Sequence, residues 1–256
     1  MTPARPEFVP DPSASRAEME ALQREVRRSA LFSDELRIDP TDPDAVRGAL
    51  VAGVDQAFLD DERAISAIVC LRDGEVVERV HAVTPLEIPY VPGLLAFREG
   101  GPILAAFAEL DVEPDVALFD GSGRIHFRQA GIATHVGVTL DLPSVGVAKS
   151  LLCGRPAEDV DGRPEGWRTP IHADDRVETG FPGEGADSEP PAIGYAYQSR
   201  QYDSRPIVNP LYVSAGHRIT GESAVDVVAA LGAGYKLPEP TRLADAYADE
   251  LKGEYA

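Results

Sequence analysis

The sequence predicts an α/β protein: a mixed sheet, built as an antiparallel meander followed by parallel crossovers and flanked by helices, in a single domain with acidic insertions. Three observations predict it. "ALVAGVDQAF", "AISAIVCLR" and "EVVERVHAV" follow one another at strand length, and Asp73-Gly74 supplies the tight turn between the second and third. Beyond them, helical periodicity and short apolar runs alternate, the order that parallel crossovers require. At 256 residues and 43% hydrophobic, the chain can bury one sizeable core, and nothing in its composition demands a second domain.

In chain order, residues 1–14 are rich in Pro, Asp and Ser and are expected to form a flexible acidic tail, with residues 15–256 as the folded domain. Met19, Leu22 and Val26 recur at helical spacing among Glu and Arg, an amphipathic helix. After the meander and "IPYVPG", the pattern turns helical through "LLAFREGGPILAAFAEL", with a break at Gly100-Gly101 and Pro102 in the first turn of the segment that follows. "VALFD" is a core strand that ends on Asp120. A helix through "QAGIATHVGVTLD" and a strand at "PSVGVAKS" come next. Residues 155–190 are acidic, rich in Gly and Pro and aperiodic, so they read as solvated connections or hairpin tips around "GWRTPIH". Strands at "AIGYAYQS" and "LYVSAGH" close the sheet, and helices follow at "ESAVDVVAALGAG" and "RLADAYADELK".

Twenty-four basic against forty-three acidic residues give a net charge of −19, which argues against a polyanionic partner unless binding is local. Acidic residues spread over the whole chain, with few lysines, fit a surface adapted to high salt, the alternative being an ordinary acidic enzyme. Cys70 and Cys153 have no CxxC spacing, so a zinc site or disulfide framework lacks support and a reducing compartment is expected. "MTPARPEFVPDPS" has no apolar signal core and no run is long enough to span a bilayer, so a cytoplasmic location without a membrane partner is expected. "GSG" is not a phosphate loop, since no GK[ST] follows, and no GxSxG nucleophile signature is present.

Asp55 stands inside an apolar run, where an unpaired carboxylate is costly, and the bland alternative is a hydrogen-bonded core aspartate. Asp120 ends another strand. In a meander-then-crossover sheet those strands can be neighbours, and two adjacent carboxylates repel unless a cation or a proton intervenes. Mg²⁺ suits such a place, because it takes oxygen ligands and keeps waters for a phosphate. Glu99 is placed to supply a third carboxylate, or else is a solvated glutamate beside Arg98. Lys149 ends a strand where an ammonium can hold a phosphate, or else it snorkels out of the core. His217 and His126 are candidates for proton transfer, or loop hydrogen-bonders, whereas His135 belongs in the core and His81 and His172 are incidental.

In this order, "VAGVDQAF", "PYVPGLLAFREGGP", "LFDGSGRIHFRQAGIATHVGV", "SVGVAKSLLCG", "VSAGHRIT" and "YKLPEPTRLAD" resemble the endonuclease V family, over residues 50–245 almost continuously. The resemblance implies a ribonuclease H-like fold and hydrolysis of DNA containing deoxyinosine at the second phosphodiester 3′ of the lesion, leaving 3′-hydroxyl and 5′-phosphate ends. It implies that Asp55, Glu99 and Asp120 organise Mg²⁺ (or Mn²⁺), that His217 completes the catalytic group, and that Lys149 and His126 contact phosphate or the displaced nucleotide. Pro89, Tyr90, Val91 and Pro92 match the family's wedge, in which an aromatic ring fills the gap left by an extruded base. Gly93, Leu95, Gly131 and Ile132 match the pocket that reads hypoxanthine largely through backbone groups.

No stable protein partner is implied. Arg124, Arg128, Lys149, Arg218 and Arg242 are the expected local basic path for the strand, since counterion release contributes little to so acidic a protein. Rival readings are an inosine-specific endoribonuclease, a non-catalytic inosine-binding module, and a structure-selective nuclease such as a junction resolvase, which would have no use for "PYVPG" beside a base pocket.

Overall fold

The computed structural model describes residues 1–60, 62–181, 190–202 and 209–255. Along the chain run α1 (Arg16–Ser29), α2 (Pro43–Gly48), β1 (Val51–Leu59), β2 (Arg63–Arg72), β3 (Glu75–Pro85), α3 (Leu95–Ala108), β4 (Val116–Asp120), α4 (Ile132–Leu140) and β5 (Ser144–Ala148). After these come β6 (Arg155–Pro156), β7 (Arg168–His172), β8 (Ala192–Tyr197), β9 (Leu211–His217), α5 (Gly221–Ala230) and α6 (Glu239–Tyr255). All nine of these strands form one sheet in the order β3-β2-β1-β4-β5-β9-β8-β7-β6. The expected meander β1–β3 is antiparallel, β1, β4 and β5 are parallel neighbours with α3 entering β4 and α4 crossing from β4 to β5, and β9, β8, β7 and β6 extend the sheet with antiparallel pairing.

Side-chain alternation along the strands divides the core into two layers. Ala52 and Val54 of β1 and Phe119 of β4 pack with α3 and α4. Val51, Val116 and Leu118 face the opposite layer with α5, where Ala57 and Leu59 meet Ala248 and Leu251 of α6. Asp55 and Asp120 therefore project from the α5–α6 side of the sheet, Asp120 at the end of β4 and Asp55 level with it inside the longer β1.

Three expectations are corrected. Residues 1–14 are not a loose tail: Phe8 is buried against Val26, Ala130 and Val138, the Phe8 carbonyl accepts from His135 Nε2 at 2.8 Å, and Arg5 N–H bonds the Thr139 carbonyl at 3.0 Å. One aromatic anchor and two backbone bonds outweigh the disorder that the Pro/Asp composition suggests. Residues 155–190 are not solvated connections throughout: around "GWRTPIH", Arg155–Pro156 pairs as β6 with β7, and β7 pairs with β8 and buries Thr169 and Ile171. Pro170 and the acidic flanks hide its alternation; residues 182–189 of that region lie outside the described residues. α3 does not break at Gly100-Gly101 but carries Pro102 in its interior, where the ring leaves the Arg98 carbonyl without its usual donor.

α1 has the expected apolar face, begun by a Ser15/Glu18 capping box. Both cysteines are buried and free. Among the described residues no helix is long and apolar enough to cross a membrane.

Candidate active site

Where β1 and β4 run side by side, Val54 is level with Phe119, which sets Asp55 beside Asp120. A third carboxylate comes from α6: single ligand oxygens of Asp55, Asp120 and Asp245 all lie within 4.8 Å of one another. Gly53 makes this approach possible, because a Cβ there would lie 2.0 Å from the Pro240 carbonyl oxygen at the start of α6. Without a side chain at Gly53, the first turn of α6 rests on β1 and delivers Asp245 five residues later.

Glu99 reaches the same place from the other layer. It lines, with Asp55, Asp120, Phe58, Ile103 and Phe119, a cavity of about 240 Å³, and its backbone carbonyl accepts from Gln56 Nε2 at 3.4 Å. Coming from α3 across the end of β4, it faces the three aspartates rather than joining their tight group.

The electrostatics are those of a site built for a cation. Burial, then the charge of Asp120, raises the Asp55 carboxyl well above the usual range, and a hydrogen bond shared with Asp245 adds to this. Burial pushes Glu99 up to about 7, opposed by Arg98 and helped by Asp120. Lys149 Nζ donates to Asp120 Oδ2 at 2.8 Å and to Asp245 Oδ1 at 3.3 Å. Burial would depress that ammonium, but the bond to Asp120 and the charges of Asp120, Asp55 and Asp245 outweigh it and raise its pKa. One ammonium against four carboxyl groups leaves a deficit of positive charge. The donor set is all oxygen, with no sulfur or imidazole, which fits a hard divalent ion rather than zinc or copper. Asp55, Asp120 and Asp245 would hold it.

A second cavity, of about 360 Å³, adjoins the first and shares Asp120 and Ile132 with it. Tyr90, Gly93, Leu95, His126, Gly131, Ile132 and Lys149 line it, so most of the sequence-predicted substrate contacts converge on one pocket of small-ligand size. Tyr90 stands 62% exposed at its mouth, in the loop between β3 and α3. Pro89 and Pro92 are exposed and stiffen that loop, while Val91 packs under it with Met19, Leu94 and Phe97. Gly93 has φ +79, and its carbonyl accepts from Gln23 Nε2, Arg128 Nη2 and His126 Nε2 at 3.0, 3.0 and 3.1 Å.

One predicted site residue has another position, and a second keeps its place but not the role of a phosphate cation. His217 is wholly buried and pairs with Ser144, the first residue of β5, whereas Lys149 follows the last. It is a strand's length from the carboxylates, at the opposite end of the strands. Its Nδ1 accepts from the Leu31 N–H at 3.2 Å and its Nε2 meets Asp141 at 3.1 Å, so its role there is structural. His126 lines the base-sized pocket but is buried. Its Nδ1 accepts from the Arg128 N–H at 3.1 Å, and burial, then the Arg128 charge, pushes its pKa down to about 3. A neutral imidazole that fixes Gly93 does not act as a phosphate cation.

The expected basic path is also mostly spent on internal partners. Arg128 is buried and bonded to Gln23. Arg218 is held by Asp141 and Glu35, and Arg242 by Glu239. Arg124 lies over Phe32, with its Nε on Gln129.

The family model for endonuclease V matches residues 32–246. Endonuclease V of Natronomonas pharaonis is 59% identical over 254 residues, covering 98% of each chain. Among solved structures, endonuclease V of Streptomyces avermitilis is 34% identical with a TM-score of 0.76, over 100% of each chain. Endonuclease V of Ciona intestinalis, solved in complex with a 24-nucleotide DNA containing an inosine followed by a ribo-adenosine, has a TM-score of 0.70 at 24% identity, covering 94% of this chain and 98% of that one. The mixed sheet and its flanking helices are thus the ribonuclease H-like fold that the sequence implied.

Proposed function

Because the chain belongs to the endonuclease V family, we propose that it is a Mg²⁺-dependent DNA repair endonuclease that recognises hypoxanthine and hydrolyses the second phosphodiester bond 3′ of the lesion, leaving 3′-hydroxyl and 5′-phosphate ends. The observation that carries this reading is the meeting of Asp55, Asp120 and Asp245 beside a base-sized pocket, with Asp120 lining both the carboxylate cavity and the pocket. The Ciona relative's inosine-containing DNA supports the choice of lesion.

The residues divide the work by position. Tyr90 takes the stacking place of the extruded base, held by a loop with a proline at each side. Leu95 and Ile132 cover the flat faces of the purine, and the Gly131 backbone lines the pocket beside them, packed so closely on the 122–123 turn that a Cβ would lie 2.2 Å from the Ser122 carbonyl oxygen. Hypoxanthine pairs poorly with thymine, so its extrusion is less costly than that of a normal base. A divalent ion, when bound by the aspartates, supplies Lewis-acid activation of water and offsets the charge gathering on phosphate. Lys149 binds a phosphate oxygen once the substrate competes with Asp120 for its ammonium. Glu99, poised near neutrality by burial, takes a proton from water or returns one to the leaving oxygen.

The test is cleavage of a single-inosine oligonucleotide with Mg²⁺, with the product ends mapped. Asp55→Asn, Asp120→Asn and Asp245→Asn should each slow cutting by at least about a hundredfold, the scale of losing a Lewis acid, with folding unchanged by circular dichroism. A parent that cuts undamaged branched DNA equally well, or cuts only inosine in RNA, would replace this reading.

A further inference from the structure

The loop between α5 and α6 carries Tyr235 and Lys236, at the same end of the sheet as the carboxylates. β8 and β5 run in the same direction, since each is antiparallel to β9. Ser199, just past the end of β8, therefore lies at the sheet edge where Lys149 emerges. Its Oγ donates to the Lys236 carbonyl at 2.6 Å, which fastens the loop at that edge.

The chain has only three lysines, and Lys149 and Lys236 are two of them. Burial, then the charge of Lys149, lowers the pKa of Lys236. Lys149 is occupied by Asp120 and Asp245, whereas Lys236 has no carboxylate partner among the described residues. In a chain with forty-three acidic residues, a lysine with no carboxylate partner among the described residues, on a loop fastened at the strand ends where Lys149 emerges, marks a place where negative charge is to arrive.

Tyr235 supplies the other half of the contact. It is 53% exposed, and one face of its ring is backed by Arg242, whose guanidinium carbon lies 4.6 Å from the ring centroid. Arg242 is itself held by two hydrogen bonds to Glu239, at 2.6 and 2.7 Å. A solvent-facing aromatic ring braced from behind is a stacking platform for a base, and stacking is insensitive to the net charge of the protein.

Resting on the nuclease reading above, we propose that Tyr235 and Lys236 form a second contact for the damaged strand, in which Tyr235 stacks on a base 3′ of the cut bond and Lys236 pairs with a neighbouring phosphate. The pocket is lined from α3 and α4 and by Lys149, the carboxylates adjoin it through Asp120, and Arg242, three residues before Asp245 on α6, ties the Tyr235 ring to the same end of the sheet. A strand with its lesion in the pocket and its cut phosphate on the carboxylates runs on to this loop.

Single-turnover cleavage of two inosine oligonucleotides tests the contact: one ends a single nucleotide beyond the cut bond, the other continues for eight. On the long substrate, Tyr235→Ala and Lys236→Ala should each raise the half-saturating concentration at least about fivefold, the lower end of what one stacked base contributes, with the maximal rate kept. Neither should change it on the short substrate. Tyr235→Trp should restore the long-substrate value, and Lys236→Ala but not Tyr235→Ala should make the salt dependence shallower by about one counterion. Variants that match the parent on both substrates, or lose equally on both, would overturn the contact while leaving the nuclease reading intact. A parent that fails to cut either substrate would overturn the nuclease reading, and the contact with it.

Discussion

Asp245 and His217 show what a side chain's own surroundings decide. Asp245 is one acid among several in "RLADAYADELK", and neither residue type nor local charge sets it apart. A usable signal is its phase: it follows buried Ala244 and stands three residues before buried Ala248, next to the apolar stripe of α6. His217 looks functional because a histidine after a strand is a common catalytic position, yet the strand direction carries it to the wrong end of the strands. Pairing decides this, and pairing between β5 and β9 is not visible in either strand alone. Glu99 gives a residue-scale prediction. Its carboxyl is raised from 4.5 to about 7 in the fold, so between those values the unfolded chain has already lost the proton that the folded one keeps. Its contribution to stability is therefore full below about pH 4.5 and is lost as pH rises through about 7. In chelator, the parent should lose unfolding free energy across this window relative to Glu99→Gln, measured by urea titration at several pH values. A constant difference between the two proteins would contradict the assignment.

At the scale of elements, α6 is the piece whose seating makes the site. Its first turn lies on β1 only because Gly53 has no side chain, and Asp245 depends on that seating. Gly53→Ala should push the Pro240 backbone outward, lower the melting temperature and slow cleavage at least about tenfold, as a displacement of about 1 Å can slow a positioned reaction still more. If Gly53→Ala cleaved like the parent, the link between α6 and the metal cluster would fail. The meander, the crossovers and most helices were legible from periodicity and turn residues. β7 was not, because Pro170 interrupts it and its neighbours are acidic. The unbroken course of α3 through Gly100, Gly101 and Pro102 was hidden too, since packing against β2, β3 and α4 overrides weak local propensity.

Over the whole molecule, the −19 charge and the internal pairing of most of the arginines expected to bind DNA leave little room for a broad electrostatic grip on a strand. On the proposed function, recognition is local: Tyr90 and the pocket at the lesion, the cation and Lys149 at the phosphate, and the loop at Tyr235 as the proposed further contact. Asp55, Asp120 and Lys149 stood out as charged residues in or at the end of apolar strands, Glu99 as an acid beside the Gly100-Gly101 pair, and the pocket was read through the family resemblance of motifs such as "PYVPG". The sequence did not show that Arg128 and Arg218 were already engaged, since Glu20, Glu35 and Asp141 reach them from distant segments; Arg242 alone had a partner visible in its spacing, Glu239 three residues before it. The central claim is that Asp55, Asp120 and Asp245 share one divalent ion, and anomalous diffraction from crystals soaked in Mn²⁺ tests it most directly. The expected result is one strong peak within bonding distance of all three carboxylates, lost in Asp245→Asn; a crystal whose Mn²⁺ sits elsewhere, with these side chains uncoordinated, would contradict the account.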